Sequence, residues 1–224
     1  LGSETASTVS SRGIYKFPVK EYKNKQYPDN QSSSYDLEYC DWSNLPDEQF
    51  ALIDDKPWVL GEFVWTGFDY RGEPTPYKWP NINSHFGILD VCGFPKNIYY
   101  YYKSWWTDED ILHISPHWNW PDKIGKPIDV WVNSNADEVE LFLNGKSLGK
   151  KTMPRNSHLQ WDVNYEPGTL EAVGYKKGKK LTSKVETTGN AYNVTLSPDK
   201  TILTADGKDA TVINISITDE KGRE

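Results

Sequence analysis

Residues 56–65, KPWVLGEFVW, decide how the first half of this chain is read. The run is short, apolar and rich in Val, Phe and Trp. Pro57 opens it and a Gly-containing loop closes it, so it reads as a buried strand of the parallel kind. The loop, TGFDYRGEPTPYKWPNINSHFG (66–87), is long enough to imply a functional role. Next comes GFPKNIYYYYKSWW (93–106), with Pro95 near its first turn as in helices. Ile98, Tyr101, Tyr102 and Trp105 recur at helical spacing, which predicts one buried face. Strand, long loop and helix make one β/α unit.

Downstream the pattern changes. Between residues 108 and 190 lie short alternating segments: IDVWVN, EVELFLN, LQWDVN, GTLEAVGY and LTSKVETT. Asn144-Gly145 is a strong hairpin signal, and KKGKK (176–180) reads as another hairpin tip around Gly178. Short strands with regular turns predict an immunoglobulin-like β-sandwich. Residues 191–224 alternate again and turn at Asp206-Gly207. About three strands are expected there, as the start of a further sandwich. The fold class is thus α/β followed by all-β, divided at 1–107, 108–190 and 191–224.

The formal net charge of -7 and the lack of any basic cluster beyond KKGKK argue against nucleic acid as a partner. No apolar run is long enough to span a membrane. Aromatic residues reach 14%, and their flat faces suit either sugar C–H surfaces or sheet cores. Of the two cysteines, Cys92 lies in an apolar stretch and is expected to be a buried thiol. His113 and His117 are four apart in a segment that reads as strand or linker, so no metal and no cofactor is expected. Trp118 and Trp120 could bind sugar but are expected rather to wedge the two domains together. Tyr77 and Trp79 read either as loop packing or as contacts to an aglycone.

Hydrolysis of a glycosidic bond needs two carboxyl groups flanking it. The acidic residues in small-residue, aromatic or strand-end context are Glu4, Glu62, Asp69, Glu73 and Asp90. By pattern alone Glu4 is an exposed loop carboxylate. Its neighbours Gly2, Ser3, Thr5, Ala6 and Ser7 are small, however, and leave room for a non-protein group. Glu62 shares a strand face with Leu60 and Val64 and is expected to have a hydrogen-bonding partner. Asp69 lies just past the strand end, where barrel enzymes keep their chemistry, or else caps an Asx turn.

LGEFVWTGFDYRGEPTPY (60–77) and NSHFGILDVCGFPKNIYYYYKSWW (83–106) resemble the end of a glycoside hydrolase family 2 catalytic barrel, the last strand and helix of a (β/α)8 TIM barrel. GSETAS (2–7) resembles the strand-seven segment carrying the family's nucleophilic Glu. ILHISPHWNWP and VELFLNGKSLG resemble the sandwich after the barrel in the β-galactosidase-like branch. The resemblance implies that Glu4 is the nucleophile and that Trp65 lines the sugar subsite. It also implies a cis peptide at Trp65–Thr66. Asp69, Ser84, His85 and Phe86 are expected as rim contacts. The family's acid/base Glu follows an Asn, and this chain has no Asn-Glu pair. The expectation is a C-terminal portion of a larger retaining enzyme, inactive alone and completed by the rest of its polypeptide. The substrate would be a β-galactoside, with a β-mannoside, a β-glucuronide or a non-catalytic carbohydrate-binding sandwich as alternatives. Accessory sandwiches suggest a periplasmic or secreted protein.

Overall fold

The structure is a computed structural model that describes residues 2–19 and 29–224. In chain order come β1 (Gly2–Thr5), β2 (Thr8–Val9), β3 (Glu38–Tyr39), α1 (Pro46–Ile53), β4 (Glu62–Val64) and α2 (Asn97–Trp106). β1 and β4 pair in parallel, with Gly2 beside Glu62 and Thr5 beside Val64. α2 buries Ile98, Tyr101 and Tyr102, as its spacing predicts, and packs them with Phe50 of α1 and Val64 of β4. Pro46 opens α1, and Asp47 and Glu48 fall in its first turn, where acidic side chains complement the helix dipole.

The stretch 56–65 is a shorter and more open strand than its composition predicts. Residues 56–59 turn, with the Val59 N–H donating to the Lys56 carbonyl. Gly61 then adopts φ 129°, which breaks the alternation. Leu60 is consequently 87% exposed, and only Glu62 and Val64 share the half-buried face. Both Glu62 carboxylate oxygens are buried with no hydrogen-bond partner among the described residues, against expectation.

The sandwich has seven strands: β5 (Leu112–Ser115), β6 (Pro127–Ser134), β7 (Glu138–Leu143), β8 (Lys146–Thr152), β9 (Leu159–Asn164), β10 (Thr169–Lys176) and β11 (Lys179–Glu186). One sheet runs β5-β6-β9 and the other β11-β10-β7-β8. Both predicted hairpin tips form, with Asn144, Gly145, Lys177 and Gly178 all at positive φ. The inward positions Ile128, Val130, Val132, Val139, Leu141, Trp161, Leu170 and Ala172 form one core. Trp118 belongs to that core rather than to a wedge. It is fully buried, and its indole N–H donates to the Glu166 carbonyl at 3.0 Å.

Trp120 does join the two halves. Its ring meets Phe17 at 5.1 Å and stacks on His117 at 4.3 Å. Tyr35 packs on Trp131 at 5.0 Å, and Trp131 stacks on His158 at 3.8 Å. His113 stacks on Tyr100 at 3.7 Å and donates through Nε2 to Asn97 Oδ1 at 3.0 Å. Its ring is therefore engaged, and burial pushes its pKa down to about 4.

The last segment holds two strands, not three: β12 (Asn193–Pro198) and β13 (Ile213–Thr218), antiparallel. The register sets Val194 opposite Ile217, Leu196 opposite Ile215 and Pro198 opposite Ile213, so one face is wholly apolar. The turn at Asp206-Gly207 forms, with Asp206 Oδ1 accepting from the N–H groups of Lys208 and Asp209. Cys92 is exposed, contrary to expectation, Cys40 is buried, and both are free. Asp90 causes this by capping a surface turn, accepting from the Cys92 and Phe94 N–H groups at 2.8 and 2.9 Å. No helix among the described residues is long and apolar enough to cross a membrane.

Candidate active site

Parallel pairing brings the C-terminal ends of β1 and β4 side by side. The Trp65 N–H donates to the Thr5 carbonyl at 3.1 Å, so Glu4 and Trp65 stand at neighbouring strand ends. Glu4 is exposed, while Ala6 to Ser10 behind it are buried. The Trp65–Thr66 peptide is cis. Trp65 is 36% exposed on the open side.

The loop after β4 doubles back on itself. Ile88 and Leu89 donate to the carbonyls of Thr66 and Gly67, and Asp69 donates to that of Leu89. Gly87 fits because it has no side chain: a Cβ there would lie 2.1 Å from the Asp69 nitrogen. Farther out the loop is a hairpin, with Arg71 bridged to Asn83 and the Gly72 N–H donating to Ile82.

At its base Tyr70 meets Trp65. The indole N–H donates to the Tyr70 hydroxyl at 3.1 Å, with the rings edge-on at 5.9 Å. The Tyr70 hydroxyl in turn donates to Glu73 Oε2. Burial first, then Glu73, with a smaller contribution from the charge of Glu4, push the Tyr70 phenol up to about 12. Trp65, Tyr70 and Glu73 thus form one hydrogen-bonded cluster beside the strand end that carries Glu4.

The other expected rim residues lie behind this cluster. Asp69 is nearly buried. Its Oδ1 accepts from the Gly87 N–H at 2.7 Å, and its carboxylate pairs with Lys96 at 2.8 Å. Burial raises the Asp69 pKa, against the pull of Lys96. Ser84 is fully buried, its hydroxyl accepting from the Tyr70 N–H at 3.0 Å. His85 Nε2 accepts from the Asn81 amide at 3.0 Å, which leaves its proton on Nδ1 to donate to the Ser11 hydroxyl at 3.0 Å. Burial, then Lys96, lower its pKa to about 4. Phe86 packs with Val9, Cys40 and Tyr77. These four residues shape the loop from inside, because their polar atoms are already paired or their surfaces already covered. Tyr77 is buried too, which selects loop packing for it, whereas Trp79 is exposed.

Pattern reading missed Lys96, which lies in the quoted FPK. Its ammonium donates to Asp69, to the Ser10 carbonyl at 2.7 Å and to the His85 carbonyl at 3.2 Å. All three donors are used, tying the chain after β1 to the chain after β4. Tyr70 and Glu73 stood in the quoted FDYRGEP, but their pairing was not readable there. No group of three or more metal-ligating side chains occurs among the described residues.

The domain family described as "Domain of unknown function (DUF4982)" matches residues 125–182, within the sandwich. The β-galactosidase BoGH2A of Bacteroides ovatus is 44% identical over 98% of this chain and 27% of its own length. A putative β-glucuronidase of Formosa agariphila is 46% identical over 71% of this chain and 16% of its own. Among solved structures, a β-glycosidase from Bacteroides vulgatus superposes with a TM-score of 0.83 at 33% identity, covering 99% of this chain and 31% of that one. A glycosyl hydrolase family 2 member from Bacteroides cellulosilyticus gives 0.72 at 32% identity, covering 79% and 28%. The chain belongs to glycoside hydrolase family 2. It spans 27% of the length of the galactosidase it matches. Within family 2, the chain is similar both to proteins named for galactosides and to proteins named for glucuronides.

Proposed function

We propose that this chain is part of a retaining β-glycosidase acting on terminal β-galactosides. Residues 1–107 would close a (β/α)8 barrel, and residues 108–190 and 191–224 would be the accessory units following it. The Glu4 carboxylate attacks the anomeric carbon and the leaving oxygen departs, giving a glycosyl ester. A second carboxyl group, from the rest of the polypeptide, protonates that oxygen and then activates the water that cleaves the ester. Trp65 covers one face of the sugar and excludes water. An exported location fits the accessory sandwiches.

The observation that carries this reading is the Trp65-to-Thr5 hydrogen bond. It joins the backbone next to Glu4 to that of an exposed Trp at two parallel strand ends, which supports the reading because barrel enzymes hold their chemistry at such ends. The similarity to the B. ovatus β-galactosidase favours galactosides. The similarity to a putative β-glucuronidase favours a second reading, a uronide substrate.

The test is covalent trapping in the full-length enzyme. An activated 2-deoxy-2-fluoro-galactoside should label Glu4, located by peptide mass spectrometry. Glu4→Gln should lower kcat by roughly 10³-fold or more. Label on Glu62 instead would remove Glu4 from the nucleophile's role.

A further inference from the structure

We propose that Glu73, held by Tyr70, selects the substrate: it accepts a hydrogen bond from a sugar hydroxyl at the Glu4 site and disfavours sugars that carry a carboxylate. This deepens the glycosidase reading above and rests on it.

The cluster geometry supports it. The Tyr70 hydroxyl is fully committed, accepting from Trp65 and donating to Glu73 Oε2. Tyr70 is therefore a positioning residue, and Glu73 presents the free acceptor. Glu73 is exposed, and its Oε1 has no partner among the described residues. A charged acceptor makes a strong hydrogen bond to a neutral sugar hydroxyl. In an extended hairpin leg Glu73 would share a face with Arg71. Gly72 sits at φ 108° and breaks that alternation, and the bond to Tyr70 brings Glu73 to the Trp65 side.

Charge points the same way. A uronate entering here meets two carboxylates, Glu4 and Glu73. Two of the nearby cations are held by partners of their own. Lys96 is buried with every donor used, and Arg12 binds Asp90 at 2.7 Å. Arg71 is exposed, and its backbone is bridged to Asn83 on the far side of Gly72 from Glu73. Lys78 follows the buried Tyr77, out on the hairpin tip.

The experiment compares kcat/KM of the full-length enzyme on 4-nitrophenyl β-D-galactopyranoside and 4-nitrophenyl β-D-glucuronide. Glu73→Gln should lower the galactoside value about tenfold or more while the glucuronide value holds or rises. The ratio then shifts at least tenfold towards the uronide. Tyr70→Phe, which frees Glu73 without removing it, should shift the ratio in the same direction by less. If Glu73→Gln does not fold, Glu73→Asp, which keeps charge but withdraws the acceptor, should cut galactoside turnover and leave the glucuronide disfavoured. A ratio unchanged within about twofold overturns the proposal, as does a wild-type enzyme that prefers the glucuronide, even with Glu4 labelled by a fluorosugar. If no fluorosugar labels Glu4 and neither substrate turns over, the glycosidase reading falls and takes this proposal with it.

Discussion

Lys96 carries more of the site's architecture than any residue the pattern singles out. It is 1% exposed, pairs with a buried Asp69 and holds two backbone carbonyls. Removing one partner of a buried ion pair strands the other, at a cost of about 3–5 kcal/mol. Lys96→Met should therefore lower the thermal midpoint of the full-length enzyme substantially, and Asp69→Asn added to it should recover part of the loss. A midpoint unchanged by Lys96→Met would show that the pair contributes nothing net. Glu4 and Trp65 are singled out by the resemblance of GSETAS and GEFVW to the family's barrel strands, and the two stand at neighbouring strand ends. Lys96 is not, since its partner is 27 positions away and the hairpin loop lies between them. The burial of His85 is hidden for a related reason, since its partners Ser11 and Asn81 come from different parts of the chain.

Among the elements, hairpins were the most legible, because Asn-Gly and Lys-Gly permit the positive φ that such turns require. β8 escaped notice because it is an edge strand with lysines on both faces, which hides alternation and protects the edge. The strand at 62–64 came out short because Gly61 interrupts a pattern that composition alone extends. β3 contains a carboxyl with its own consequence. Glu38 is buried and accepts from the Ser33 N–H at 2.7 Å and the Tyr77 hydroxyl at 3.1 Å. Burial raises it from 4.5 to about 7, and raises neighbouring Asp36 from 3.8 to about 7. Between pH ~4.5 and ~7 the folded protein then holds protons that the unfolded chain has released. Their contribution is complete below the lower limit and is lost as pH rises through 7, at most a few kcal/mol per group. Glu38→Gln should flatten the fall in melting temperature between pH 5 and pH 8. An equally steep fall in the variant would place its origin elsewhere.

For the molecule as a whole, the two halves differ in self-sufficiency. The sandwich has a continuous core of its own, whereas β1 and β4 form a two-stranded parallel sheet with Trp58, Leu60 and Phe63 exposed beside it. A parallel pair that open is not stable alone. Residues 108–190 expressed alone should unfold in one cooperative circular-dichroism transition, and residues 1–107 should show none. The reverse result would mean that the sandwich depends on its neighbour. The aromatic junction adds one more consequence. Its rings come alternately from both sides: Phe17 against Trp120, Tyr35 against Trp131. After the sandwich, by contrast, the chain is tied back by a polar contact, the Gly189 N–H on the Asp219 carboxylate. A chimera of two relatives spliced near 107 would mate rings shaped for other partners, whereas one spliced near 190 would need only an acceptor at position 219 for the Gly189 N–H. Residues 1–107 and the sandwich therefore share a seam that depends on matched side chains, and an exchange of modules is less costly beyond it.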